Sequence, residues 1–118
     1  MLYSIVDQGS LSKAFADFQK ELLALGLEGT CLFDSKLVFS ELASNAVKHA
    51  VGGGSIRVHV SETEVEITLL CEGGYVAPER SFCSSIYEEG GRGLYLIDSV
   101  CDRRENTAEG IRVVLIRK

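Results

Sequence analysis

The hydrophobic period of this chain changes at the glycine triplet Gly52-Gly53-Gly54, and that change restricts the fold more than any other feature. Upstream, Leu11, Phe15, Phe18, Leu22 and Leu25 recur at steps of four and three, the spacing of one helix face. Ser10 is placed to cap the start of that helix and Gly26 to close it. A second helix is predicted from after Gly29 to Ala50, where the triplet stops it. Downstream, Ile56, Val58 and Val60 alternate with Arg57 and His59, and Val65, Ile67 and Leu69 alternate with Glu64, Glu66 and Thr68. The short link Ser61-Glu62-Thr63 makes these two runs an antiparallel hairpin. Residues 71–91, with the only proline (Pro78), read as a long loop, which in so small a domain is more often functional than idle. Residues 94–101 are predicted helical, opening at Gly91-Arg92-Gly93. A last hairpin follows, with strands near 102–106 and 111–116 around Ala108-Glu109-Gly110. This order implies an α+β sandwich with the helices on one face of a mainly antiparallel sheet.

Composition narrows the function classes. At 118 residues the chain reads as a single domain, 1–118, able to bury a core without disulfides. A net charge of −5 with no basic stripe argues against nucleic acid as a partner. Arg103-Arg104 is only a pair and is expected to be solvated. No apolar run approaches the ~20 residues of a membrane span, and Met1-Leu2-Tyr3-Ser4 lacks a signal-peptide layout. Cys31, Cys71, Cys83 and Cys101 form no C-x-x-C pair and no zinc set with His49 or His59. Three of the four sit among apolar residues and read as small hydrophobes in a reducing cytoplasm, and the two histidines as structural.

Two segments carry chemistry. In the predicted second helix, Glu41, Asn45 and Lys48 fall within an arc of roughly 60°, while Phe39, Leu42, Ala43, Ala46, Val47 and Ala50 take the opposite, core-facing side. A carboxylate, a neutral oxygen ligand and a cation on one face suit a Mg²⁺-bound phosphate and the group attacking it; a plain solvated helix face has the same spacing. The second segment is Gly90-Gly91-Arg92-Gly93-Leu94. Glycines before a helix let the backbone approach a ligand, and the free N–H groups favour phosphate, although ordinary turns use glycine too.

The order of these pieces resembles the GHKL ATPase superfamily, the histidine-kinase-like ATPases of Bergerat fold. The likeness rests on Glu41-x-x-x-Asn45 on a helix, a hairpin, a glycine turn at Gly73-Gly74, then Gly91-Arg92-Gly93-Leu94 before a helix. It runs from about Leu11 to Lys118. The wording Glu41-Leu42-Ala43-Ser44-Asn45-Ala46-Val47-Lys48-His49-Ala50 and Gly91-Arg92-Gly93-Leu94-Tyr95-Leu96-Ile97 is most similar to the small stand-alone anti-sigma-factor serine kinases. The resemblance implies a two-layer sandwich of three helices on one face of a mainly antiparallel mixed sheet, with ATP and Mg²⁺ as cofactors. It implies that Asn45 ligates Mg²⁺, that Glu41 is the general base for a partner serine, and that Lys48 lies near the phosphates. Gly91, Arg92, Gly93 and Leu94 would form the phosphate-facing loop and helix start, and residues 77–90 the lid over the nucleotide. The implied partners are a sigma factor and a STAS-domain antagonist, and the implied state is a homodimer.

One departure bears on that reading. The family's first glycine motif is Asp-x-Gly-x-Gly, whose aspartate accepts from the adenine amino group. Here the strand alternation puts Cys71 at that place, giving Cys71-Glu72-Gly73-Gly74-Tyr75, with Cys71, Gly73 and Tyr75 at the matching positions. A thiol is a poor acceptor, and an unpaired adenine donor costs ~1–3 kcal/mol. A shift by one residue would offer Glu72 instead, but on the wrong face unless a bulge intervenes. Two expectations therefore stand: an ATP-dependent serine kinase with altered base recognition, or a nucleotide-independent protein-binding module on the same scaffold.

Overall fold

The computed structural model describes residues 1–49, 54–71, 89–106 and 110–117; for residues 49 and 89–94 it describes the backbone alone. Five strands and three helices follow the order β1 (Leu2–Ile5), α1 (Gln8–Ala24), α2 (Gly29–His49), β2 (Gly54–Val60), β3 (Glu64–Leu70), α3 (Glu89–Val100), β4 (Arg103–Asn106) and β5 (Gly110–Ile116). The strands form one sheet in the order β1-β2-β3-β5-β4. The α+β sandwich is as expected, with α1 and α2 packed on one face of the sheet and α3 packed against α2. All four described pairings are antiparallel, so the expected mixed character is absent among the described residues.

Helix α1 starts earlier than its apolar face suggests. Asp7, not Ser10, is the N-cap: Ser10 N–H donates to Asp7 Oδ1 at 2.8 Å, and Asp7 N–H donates to Ser10 Oγ at 3.0 Å. Ser10 is the third helical residue of this capping box, reaching back where a glutamate would normally do so. The other end is as expected. Gly26 adopts φ 84°, and the N–H groups of Gly26 and Leu27 bond the carbonyls of Leu23 and Leu22 at 3.1 and 3.0 Å. That is the Schellman closure, and it leaves Leu25 half exposed beyond the last turn.

Missing from the sequence reading is β1, whose register Leu2↔Arg57 to Ile5↔Gly54 adds an edge strand to β2. Its inward residues matter to the core. Ile5 is fully buried, and the Tyr3 ring meets Phe39 edge-on at 5.5 Å. Phe39 stacks on Phe18 at 4.2 Å, so one aromatic cluster joins β1, α1 and α2.

On the sheet, Val58, Val65, Ile67, Leu69, Ile111, Val113 and Leu115 are buried as the alternation requires. The other face carries charge: Arg112 donates to Glu66 at 2.6 Å and to Glu105 at 3.3 Å. At the end of β3 the backbones come very close. A Cβ on Gly110 would lie 1.8 Å from the Leu69 carbonyl oxygen, so no other residue fits there.

Candidate functional site

Helix α2 places the first site residues. Phe39, Leu42, Ala43 and Ala46 are fully buried and Val47 partly so, which is the core face expected; Ala50 lies outside the described residues. Glu41 is half-buried and Lys48 exposed. Asn45 departs from a plain polar face: it is only 3% exposed, and its Nδ2 has no hydrogen-bond partner among the described residues. Its azimuth explains the burial. Asn45 projects about 20° from the direction of Val38, at the margin of the core arc, with Glu41 and Lys48 further round toward solvent. A buried amide left unpaired costs roughly 1–3 kcal/mol, so folding alone gives no reason to keep one here.

Strand β3 places the next residue. The helix-facing series Val65, Ile67, Leu69 continues into Cys71, which is 6% exposed and part of the core cluster. Burial pushes its thiol up from the ordinary value, so it stays protonated and neutral. Glu72, the alternative for that position, lies outside the described residues, as do Gly73, Gly74, Tyr75 and lid residues 77–88.

Helix α3 places the rest, with one difference from expectation. It opens at Glu89, so Gly90, Gly91, Arg92, Gly93 and Leu94 belong to its first turns instead of preceding them. Glu89 and Gly90, expected at the end of the lid, are likewise helical. The structure thus brings two site-bearing helices side by side, since α2 packs against α3.

Sequence reasoning missed Arg104. Its side chain is only 9% exposed, not solvated as a surface pair would be. Arg104 Nε and Nη2 donate to the two carboxylate oxygens of Asp98 on α3 at 2.7 and 3.3 Å, and Nη1 donates to Asn106 Oδ1 at 3.0 Å. The signal was available in the alternation of β4, which points Arg104 to the side of its cross-strand partner Val113, a fully buried residue. Arg103 points the other way and pairs with Glu105 at 3.5 Å.

A cleft of about 480 Å³ lies elsewhere, between Glu28, Thr30 and Asp34 at the start of α2 and Val100, Asp102 and Ile116 beyond α3 and on β5. None of the expected site residues lines it, and Asn45 is about 16–24 Å further along α2. Asn45 Nδ2 is one of three buried side-chain polar atoms without a partner among the described residues, with Ser35 Oγ and Thr68 Oγ1. Among the described residues no group of His, Cys, Asp and Glu could by itself hold a metal ion. No described helix is long and apolar enough to cross a membrane.

The fit to a nucleotide can be judged from these side chains. A buried carboxamide offers an N–H₂ donor for a phosphate oxygen and a carbonyl oxygen for a hard cation that keeps its remaining waters. The Asn45 carboxamide is thus chemically compatible with a Mg²⁺-nucleotide, while the buried neutral thiol of Cys71 is unsuited to accept from adenine. The family model of the histidine kinase-like ATPase domain matches residues 6–117. No curated protein matches the chain.

Proposed function

The chain belongs to the histidine kinase-like ATPase domain family, and from that premise we propose that it is a Mg²⁺- and ATP-dependent protein serine kinase of anti-sigma-factor type. In this reading a cytoplasmic homodimer holds a sigma factor and phosphorylates a serine of its STAS-domain antagonist. The observation that carries the nucleotide half is the Asn45 carboxamide, buried and without a partner for Nδ2 among the described residues. The anti-sigma half rests on the wording of the two motifs around Glu41–Ala50 and Gly91–Ile97.

Bound Mg²⁺-ATP supplies the transferable phosphoryl group and the countercharge for it. Asn45 and Lys48 would hold the phosphate end, and the free N–H groups of the first turn of α3, up to Gly91, would face it, because those of Arg92 and Gly93 are already bonded within the helix. Glu41, half-buried one turn before Asn45, receives the serine proton as the hydroxyl oxygen bonds to phosphorus and the bond to the leaving nucleoside diphosphate breaks.

Cys71 favours a second reading, in which the scaffold captures its protein partner without nucleotide. Calorimetric titration with ADP and ATP, with and without Mg²⁺, separates the two. Micromolar binding that tightens with Mg²⁺ supports the kinase; no binding up to millimolar nucleotide makes partner capture the function. Under the kinase reading, Glu41→Ala loses transfer to the antagonist serine and keeps nucleotide affinity, and an undiminished rate would remove Glu41 from the mechanism.

A further inference from the structure

The start of α3 is a poor helix by composition. Gly90, Gly91 and Gly93 occupy its first two turns, and glycine gives up the most backbone entropy when it is made helical. Such a segment does not hold its own position, so the rest of the molecule must fix it. Its second half is well held. Ile97 is fully buried, Val100 packs on the core, and Cys101 N–H closes the helix on the Ile97 carbonyl at 2.9 Å.

Apolar contacts fix depth but are non-directional. The Arg104–Asp98 fork is directional. Two N–H···O bonds from one planar guanidinium, at 2.7 and 3.3 Å, define the direction as well as the distance of the Asp98 carboxylate. The guanidinium is itself held: Asn106, two residues on along the same side of β4, accepts from Nη1 at 3.0 Å. The backbone of β4 is in turn paired to β5 through Arg104↔Val113. Asp98 and Gly91 are seven residues apart on α3, so they share one stripe of the helix, separated by roughly 10 Å along its axis.

We propose that Arg104 is a positioning residue for the nucleotide site: through Asp98 it sets the rotation and axial position of α3, and so where Gly91 and its neighbours present their backbone. The inference rests on the reading of the α3 start as the phosphate-facing element. It explains why the edge strand β4 carries a nine-tenths buried arginine where an apolar residue would serve stability alone.

The test is Arg104→Lys, which keeps the charge and the stem but cannot form the fork. Nucleotide affinity is followed by calorimetry, and backbone amide exchange is followed separately in α3 and in β3 and β5. The expected result is affinity for Mg²⁺-ATP weakened roughly tenfold, with faster exchange across residues 89–97 and unchanged protection in the sheet. Wild-type affinity in Arg104→Lys would overturn the proposal. So would weaker binding accompanied by faster exchange everywhere, because that marks general loss of stability. If the wild-type chain binds no nucleotide at all, the reading of the site falls. The fork is then judged by exchange alone, and unchanged α3 amides in Arg104→Lys would refute its hold on the helix.

Discussion

Asn45 and Arg104 are both polar side chains drawn into the helix layer, and the molecule treats them in opposite ways. Arg104 enters donating three hydrogen bonds, two to Asp98 and one to Asn106. Asn45 enters with its Nδ2 unpaired among the described residues. A buried polar group costs free energy unless its bonds are met, so the first arrangement offsets the burial and the second, shared among the described residues with Ser35 Oγ and Thr68 Oγ1, does not. The contrast teaches that a buried group left unsatisfied by its described neighbours is a place to look for a ligand.

Substitutions can break this comparison. The largest effect is expected at the satisfied group. Arg104→Ala strips a buried guanidinium and leaves the Asp98 carboxylate without its fork, which should cost about 2–3 kcal/mol in urea unfolding. A cost within experimental error would mean that the fork contributes nothing to the fold. At the unsatisfied group the sign should reverse. Asn45→Leu replaces an unpaired buried amide with an apolar side chain, and stability should rise by about 1 kcal/mol while Mg²⁺-ATP binding is lost. A loss of stability in Asn45→Leu would show that the amide is already paired in the folded protein.

Cys71→Asp sharpens the same contrast at the base end. It should tighten adenine-nucleotide binding by roughly ten- to a hundredfold, the converse of leaving the adenine donor unpaired. No gain in calorimetry would show that Cys71 does not face the base. The smallest effect belongs to the open sheet face. The hydrogen bond from Arg112 holds the Glu66 carboxyl below its ordinary value of 4.5. Its contribution is therefore complete above the ordinary value and fades as pH falls through the lowered native one. Both groups are partly solvated, so Glu66→Gln should flatten the acid limb of the stability curve only slightly, measured as melting temperature between pH 3 and 6.

Much of the fold was legible because period is a local property. The hairpin Ile56–Leu69, the core face Phe39, Leu42, Ala43 and Ala46, and the closing role of Gly26 all follow from spacing along the chain. The four-residue strand β1 was not legible, since Leu2-Tyr3-Ser4-Ile5 is too short to show alternation and is a strand only because β2 offers it an edge. Nor was Asp7 as the cap of α1, because a glycine and two polar residues separate it from the first apolar helix position. Of the candidate site, motif wording singled out Glu41, Asn45, the α3 glycines and the thiol at Cys71 as residues to test.

By itself, then, the sequence determined which faces are apolar and where helix gives way to strand, because these depend on neighbours within a turn or two. Tertiary structure alone decided that Arg104 turns inward to Asp98, that Asn45 is enclosed with no partner for Nδ2 among the described residues, and that Gly110 has no room for a side chain against Leu69. Each depends on segments far apart in sequence being brought within hydrogen-bonding or contact distance, and no pattern along the chain records that distance.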